Sequence, residues 1–263
     1  MSDGSKTKFR KALLGKELLV GTFVKTPHYQ VVEILGLSGL DFLICDAEHA
    51  VLDRSTLDTM ALAGQATSTP ILVRVESNSH TAILQALDIG AAGVVVPHIC
   101  NARDAQAAVN SSNYSSDAHD SSAGNTRGYS PSTRAGNYGQ RDLDEMLELA
   151  SNEVSVICQI EDPEAVDNID EIAAVNGVHC LFVGRADLAV SYQVNSLDDD
   201  LISEAVQKTC DAARKQDLPV GIYIADVEDI PRWQDQGISF FAVGSDQQFI
   251  QAGAKRVADF SPS

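Results

Sequence analysis

Eight short runs rich in Val, Ile, Leu and Phe recur along the chain: LLVGTFVK (18–25), DFLICDAE (41–48), PILVRVE (70–76), GVVVPHI (93–99), VSVICQIE (154–161), CLFVGRADL (180–188), LPVGIYIA (218–225) and FFAVGSD (240–246). Runs of this length, near-continuously apolar, suit parallel strands buried on both faces under a layer of helices. The stretches between them have helical character. PHYQVVEILGLSG places Val31, Val32, Ile34 and Leu35 along one side and closes on glycines, a stop signal; TAILQALDIGA and NARDAQAAVN behave alike. Eight βα units predict an α/β fold, a TIM (β/α)8 barrel, with 1–263 forming a single domain. An open doubly wound sheet would ordinarily show G-x-G-x-x-G after an early strand, and the chain has none.

One segment breaks the rhythm. Residues 110–141 are rich in Ser, Asn and Gly and too polar to build core, so they read as a long loop insertion. Placed between the fourth and fifth strands, this loop is expected over the mouth of the barrel or at a subunit contact. The formal charge of −18 speaks against nucleic acid or an anionic membrane as the main partner. No apolar run approaches the roughly 20 residues needed to span a bilayer. The first residues lack the apolar stretch of a secretory signal and read as a surface helix, so a cytoplasmic location is expected. The five cysteines (45, 100, 158, 180 and 210) have no metal-ligand spacing and read as reduced structural thiols.

Active sites of this fold sit at the C-terminal ends of the strands, and polar residues do collect there. The second run ends in Asp46, Glu48 and His49, and the third in Arg74 and Glu76. The fourth ends in Pro97 and His98, the fifth in Gln159 and Glu161. The sixth runs into Asp187, and the eighth closes on Ser245 and Asp246. Strand parity puts Leu72, Arg74 and Glu76 on one face, and Ile157, Gln159 and Glu161 on one face. An arginine inside an apolar run needs an anion, whether a ligand or a neighbouring carboxylate such as Glu76 or Glu161. His98 reads as a capping or subunit-contact residue rather than a ligand. His80, His119 and His179 read as surface or loop residues, and the role of His28 stays open. Asp246 suits either support of the site or hydrogen bonding to loop amides.

The stretches GLDFLICDAEHAVLD, ILVRV, QALDIGAAGVVVPHI, QIED, VGRADLA and FAVGSD resemble, in order and spacing, the HpcH/HpaI class II pyruvate aldolases. The likeness runs from about Gly21 to Asp246. It implies a (β/α)8 barrel that cleaves or forms 4-hydroxy-2-oxo acids, giving pyruvate and an aldehyde through a metal-bound pyruvate enolate. The divalent cation would be Mg²⁺, Mn²⁺ or Co²⁺. By position, the resemblance implies Glu161 and Asp187 as metal ligands, His49 as base, Asp46 as the residue orienting it, and Arg74 as a catalytic pyruvate contact. Gln159 would line the substrate pocket with Asp187, backbone amides near Gly184 and Ala186 would meet the pyruvate carboxylate, and Asp88 would reach a neighbouring subunit's site. The implied assembly is a homo-oligomer, trimer-based or hexameric. An all-oxygen carboxylate site suits Mg²⁺ or Mn²⁺. A Schiff-base mechanism would need a lysine inside the barrel, and only Lys25 is placed for it.

Two features depart from the family pattern. Relatives usually carry a compact Tyr-Pro-Pro-x-Gly-x-Arg-Gly stretch; here Tyr114 is separated from Arg127 and Gly128 by a Ser/Asp-rich insertion. Arg185 also stands where proline is common. Both are expected near the mouth, where an aldehyde would be chosen. Oxaloacetate decarboxylation or another 2-oxo acid lyase activity would use the same residues. A catalytically silent barrel acting as an interaction protein is the reading from a different class, and the full set of acid, base, Arg and metal candidates argues against it.

Overall fold

The computed structural model describes residues 4–115 and 124–260. Eight parallel strands close into a barrel in sequence order: β1 (Leu19–Val24), β2 (Phe42–Asp46), β3 (Ile71–Arg74), β4 (Gly93–Val96), β5 (Ser155–Ile160), β6 (Cys180–Val183), β7 (Val220–Ile224) and β8 (Phe240–Ser245), with β8 returning to β1. Every neighbouring pair is parallel. The fold is the TIM-type barrel expected from the eight apolar runs.

The helices that cover it are α1 (Ser5–Leu14), α2 (Tyr29–Gly36), α3 (Arg54–Ala66), α4 (His80–Asp88), α5 (Ala102–Ser112), α6 (Leu143–Glu153), α7 (Pro163–Asp167), α8 (Ile169–Ala173), α9 (Arg185–Ser191), α10 (Asp200–Lys215), α11 (Ile230–Gln234) and α12 (Asp246–Ala258). Several begin on side-chain caps: Asp53, Ser79, Asn101, Asp142 and Ser245 each accept a backbone N–H from the first turn. None of the helices among the described residues is long and apolar enough to cross a membrane.

Alternation along the strands sorts two cores. Phe42 and Ile44 of β2, Leu72 of β3, Val95 of β4, Ile157 of β5, Phe182 of β6 and Phe240 of β8 point inward and pack together. Leu43 and Cys45 point outward, against Val32, Met60 and Ala63 of the covering helices. Phe42 and Phe240 stack with centroids 4.2 Å apart, and Phe9 of α1 packs on both. With Leu13, it places α1 as an apolar plug across the N-terminal end. Gly21 is required for this stack, since a Cβ there would lie 2.6 Å from the Phe42 ring.

The described parts of the polar segment, up to 115 and from 124, are not over the mouth. α5 intervenes between β4 and residues 113–142, so the chain has already travelled back toward the N-terminal end when the segment begins. Residues 110–112 belong to α5. The part at 124–141 runs along the outside of α4: Thr126 O accepts from His80, Gly128 lies beside Leu84, and the Ala135 N–H donates to Asp88 O. Arg134 pairs with Asp58 at 2.8 Å and lies next to Gly90, at the foot of β4. Tyr114 and Arg127 are buried together, the guanidinium 4.4 Å over the ring. Its 116–123 portion, with His119, lies outside the described residues.

Candidate active site

Three charged residues and one amide continue the inward parity of the strands into the mouth. Asp46 and Arg74 are direct partners in the β2–β3 register and share the inner face with Phe42, Ile44 and Leu72. Gln159, and Glu161 just beyond the strand end, continue the parity of Ile157. Asp46, Arg74, Gln159 and Glu161 are all buried. Such burial is tolerable only if each group is paired.

Asp46 and Arg74 satisfy one another. Arg74 Nε donates to Asp46 Oδ1 at 3.0 Å and Nη2 donates to Oδ2 at 2.8 Å, a bidentate fork. Lys25 Nζ lies 3.3 Å from Oδ2. Asp46 Oδ1 also accepts the backbone N–H groups of Glu48 and His49, at 3.3 and 3.1 Å. Burial alone would raise the Asp46 carboxyl, but the hydrogen bond and charge of Arg74, the His49 amide and Lys25 outweigh it and hold it below the usual range. Arg74 Nη1, the arm of the fork not used by Asp46, lies 3.2 Å from Glu48 Oε2, and its guanidinium sits 4.8 Å over the Phe23 ring. The expected partners of Arg74, Glu76 and Glu161, are replaced by Asp46 and Glu48; Glu76 is exposed.

The structure also corrects the expected role of Asp46. It holds the main chain of His49, not the imidazole. The ring is largely exposed, and the carboxylate near it is Glu48, 3.8 Å from Nε2. Lys25 is engaged by Asp46, in the arrangement of a structural cation.

Glu161 occupies the opposite wall. Its Oε1 accepts the His98 amide at 2.9 Å, and Gln159 Nε2 donates to its Oε2. Burial raises its pKa; Gln159 and His98 pull it down, the Asp187 charge pushes it further up, and the net direction is up. Asp187 stands in the first turn of α9, half-buried. Gly184 makes this corner possible. A Cβ there would lie 2.7 Å from Glu161 Cβ and 3.0 Å from its Oε2. Gly184→Ala should therefore displace the Glu161 carboxylate and cost about 1–3 kcal/mol, as overpacking does; unfolding midpoints and turnover measured together check this, and an unchanged protein would remove the steric argument. The Gly184 N–H donates to Ile160 O at 2.9 Å, so it is not available to a substrate as expected. Ala186, two residues on, faces the pocket.

Two residues not assigned to the site from sequence belong to it. Glu48, His98 and Glu161 each bring one donor atom within 4.8 Å of the others. His98 is not merely a cap: its Nδ1 is 2.9 Å from Asp162 Oδ2, and Nε2 is 3.8 Å from Glu48 Oε1. The hydrogen bond to Asp162 raises its pKa, aided by the charges of Glu161, Asp162 and Glu48 and opposed by burial. The signal for both residues was their place just past strand ends.

Of the remaining candidates, Arg185 lines the mouth as expected. Asp246 caps the β1–α2 loop, accepting the Lys25 and Thr26 N–H groups at 2.8 and 2.9 Å. His28 caps α2. His179 lies in the loop before β6, as expected, but is partly buried there: its Nδ1 accepts the Val156 N–H at 2.9 Å, and burial, with Arg10 beside it, pushes its pKa down to about 3. Asp88 ends α4 on the side away from the mouth, with Oδ1 buried and no hydrogen-bond partner among the described residues. Arg185 is buried, donates to Tyr223 O at 3.1 Å and lies 4.8 Å over the Trp233 ring. All five cysteines are free, and burial raises the thiols of Cys45, Cys158, Cys180 and Cys210.

The mouth itself is a cavity of about 470 Å³ lined by Phe23, Lys25, His49, Arg74, Gln159 and Asp187, among others. It has the size of a small-molecule site. A family model for HpcH/HpaI aldolase/citrate lyase matches residues 19–252. The chain belongs to this family. It is 33% identical over 255 residues to a 5-keto-4-deoxy-D-glucarate aldolase of Shigella boydii, covering 96% of this chain and 95% of the relative. A Klebsiella pneumoniae enzyme of the same name is 32% identical over 253 residues, with the same coverage. Among solved structures, an HpcH/HpaI aldolase/citrate lyase family protein of Burkholderia cenocepacia superposes with a TM-score of 0.90 at 28% identity, over 96% of this chain and 98% of that one. The citrate synthase SbnG gives 0.82 at 28% identity, over 95% and 98%. The chain is thus an HpcH/HpaI-family aldolase, a carbon–carbon lyase.

Proposed function

We propose that this aldolase is divalent-metal-dependent and cleaves a 4-hydroxy-2-oxo acid to pyruvate and an aldehyde. The observation that carries the reading is the buried Glu161 carboxylate, which feels the charge of Asp187, a residue lining a mouth that already holds a fixed guanidinium. Among the described residues, no lysine or arginine is within ion-pair distance of Glu161; the one ionisable partner of opposite sign is His98, at 3.6 Å, which is a cation only when protonated. A divalent cation held by Glu161 and Asp187 suits this all-oxygen pair, which Gly184 leaves room for. When bound, it would supply Lewis-acid stabilisation of the charge that develops on the 2-oxo group.

The chain's own residues carry the rest. Arg74, locked by Asp46, keeps Nη1 on the pocket side as a fixed positive charge near the oxo oxygen, and it needs no reorganisation as charge develops. Gln159 lines the pyruvate end. His49, exposed at the rim, takes the proton from the 4-hydroxyl as the carbon–carbon bond breaks. The acid named in the relatives fits this class: counted from its keto end, it is a 4-hydroxy-2-oxo acid, and its cleavage gives pyruvate and an aldehyde bearing a carboxylate.

A homo-oligomer is part of the proposal. α12 is exposed from Gln247 onward, with Phe249, Ile250 and Val257 in solvent and Phe260 following, and Asp88, Tyr114 and Arg127 hold buried polar atoms without hydrogen-bond partners among the described residues. A second copy of the chain would cover such surfaces.

The decisive assay is pyruvate release from 5-keto-4-deoxy-D-glucarate by chelated protein with and without added Mg²⁺ or Mn²⁺. Metal-independent release would overturn the class II reading, and faster release from oxaloacetate would move it to decarboxylation. His49→Ala should lose about 10²–10⁴-fold in cleavage while keeping pyruvate affinity, because Arg74 and Gln159 are untouched. Equal loss of both would make His49 structural.

A further inference from the structure

We propose that Glu48, His98 and Glu161 form a mixed nitrogen–oxygen site for a first-row transition-metal dication, sharing Glu161 with the Glu161–Asp187 pair but not using Asp187. The inference extends the proposed metal reading through that one shared residue. Three observations carry it.

The first is proximity. One donor atom from each of the three residues lies within 4.8 Å of the other two. Donors around one ion with bonds of about 2.1 Å stand at most about 4.2 Å apart, and the His98 ring nitrogens already lie 3.8 Å from Glu48 Oε1 and 3.6 Å from Glu161 Oε1. Glu161 has an oxygen for each side: Oε2 lies toward Gln159 and Gly184, whereas Oε1 lies toward His98.

The second is the way the imidazole is held. Asp162 Oδ2 lies 2.9 Å from Nδ1, which also stands 3.6 Å from Glu161 Oε1; a carboxylate can only accept, so in the neutral ring this contact favours the proton on Nδ1 and leaves Nε2 free on the Glu48 side, 3.8 Å from Oε1. A carboxylate behind a histidine is how metal-binding imidazoles are commonly fixed in tautomer and direction. The backbone is committed to the same end. His98 has φ 53°, in the left-handed region uncommon outside glycine, and its N–H is bonded to Glu161 Oε1.

The third is charge. Asp46, Glu48, Glu161, Asp162 and Asp187 gather around the mouth, against the permanent cations Lys25, Arg74 and Arg185; Lys25 and Arg74 are engaged by Asp46, and Arg185 lies on the far wall over Trp233. Glu48 Oε2 is buried without a hydrogen bond; its one close cation is Arg74 Nη1 at 3.2 Å. A dication beside Glu48 and Glu161 offsets this excess. An imidazole nitrogen in the set favours Mn²⁺, Co²⁺ or Zn²⁺ over Mg²⁺, which prefers six oxygens.

The test uses the full-length protein, stripped by chelation and titrated with MnCl₂, read by free-Mn²⁺ EPR and by pulsed EPR for ¹⁴N coupling. Wild type should bind Mn²⁺ with the coupling of one imidazole nitrogen, and Mg²⁺ should compete poorly. Asp187→Asn should keep that coupled Mn²⁺ while losing turnover, which separates this site from the proposed catalytic pair. His98→Asn, chosen because asparagine tolerates the left-handed backbone, should abolish the coupling and raise the Mn²⁺ dissociation constant tenfold or more. Bound Mn²⁺ without nitrogen coupling in wild type, or coupling that survives in His98→Asn, overturns the site. Neither result would touch the Glu161–Asp187 reading, which stands or falls on metal-dependent pyruvate release.

Discussion

Glu161→Gln should reduce pyruvate release by about 10³-fold or more, the loss expected when the group that organises electrostatic stabilisation is removed, while the chain stays folded. The substitution is nearly isosteric, and the amide oxygen can still accept the His98 N–H. The same variant should be more heat-stable than wild type when both are metal-free at neutral pH. The sign follows from linkage. Burial raises the Glu161 pKa in the folded chain, so folding favours its protonated form; that contribution is full below the unfolded carboxyl pKa and is lost as pH rises through the folded value. At neutral pH the buried charge is a cost, and Gln removes it. Parallel melting curves and initial rates check both halves. Retained turnover in thoroughly chelated Glu161→Gln would remove Glu161 from the proposed metal pair.

Asp46→Asn should be the most damaging single change to the fold of the site. It leaves Arg74 buried with half its fork unmatched, and breaking a buried ion pair by removing one partner typically costs about 3–5 kcal/mol. Asp46 also fastens Lys25 and the turn that carries Glu48 and His49. The stability that Asp46 supplies depends on pH in the opposite sense to Glu161. Its folded pKa is held down, so its contribution is present above the unfolded carboxyl value and is lost as pH falls through the folded one. Acid denaturation of wild type should thus show a proton-linked loss of stability that is reduced in Asp46→Asn. A melting point within a degree of wild type would show that Asp46 does not organise the mouth.

Much of this arrangement is legible in the sequence because strands keep a period of two. Counting from Phe42 puts Asp46 inside, counting from Leu72 puts Arg74 inside, and counting from Ile157 reaches Gln159 and Glu161. The rule stops where the strands stop. Glu48 sits in a turn folded back by the Asp46 carboxylate, and His98 sits on a left-handed backbone, so neither direction follows from alternation. The partner of Arg74 was missed for a related reason. Glu76 shares its strand face by count, but the strand ends at Arg74 and the carboxylate leaves the barrel. The polar segment was misplaced by reckoning from β4 alone. An eleven-residue helix at Ala102–Ser112, readable from its apolar spacing, turns the chain around before the segment begins.

The apolar plug at the N-terminal end of the barrel has a kinetic consequence. Phe9 and Leu13 of α1, with the stacked Phe42 and Phe240, fill the barrel below Arg74 with apolar side chains, which makes the mouth the polar way in and out among the described residues. On the proposed reading, the pyruvate half lies deeper, against Arg74 and Gln159, and the aldehyde half lies nearer the rim with His49. Products must then depart in the order of their depth, aldehyde first and pyruvate last, and in the synthetic direction pyruvate must enter before the acceptor. Product inhibition by pyruvate should accordingly be competitive with the cleaved acid, and inhibition by the aldehyde noncompetitive. The reverse pattern would mean that a second passage opens through the wall of the barrel.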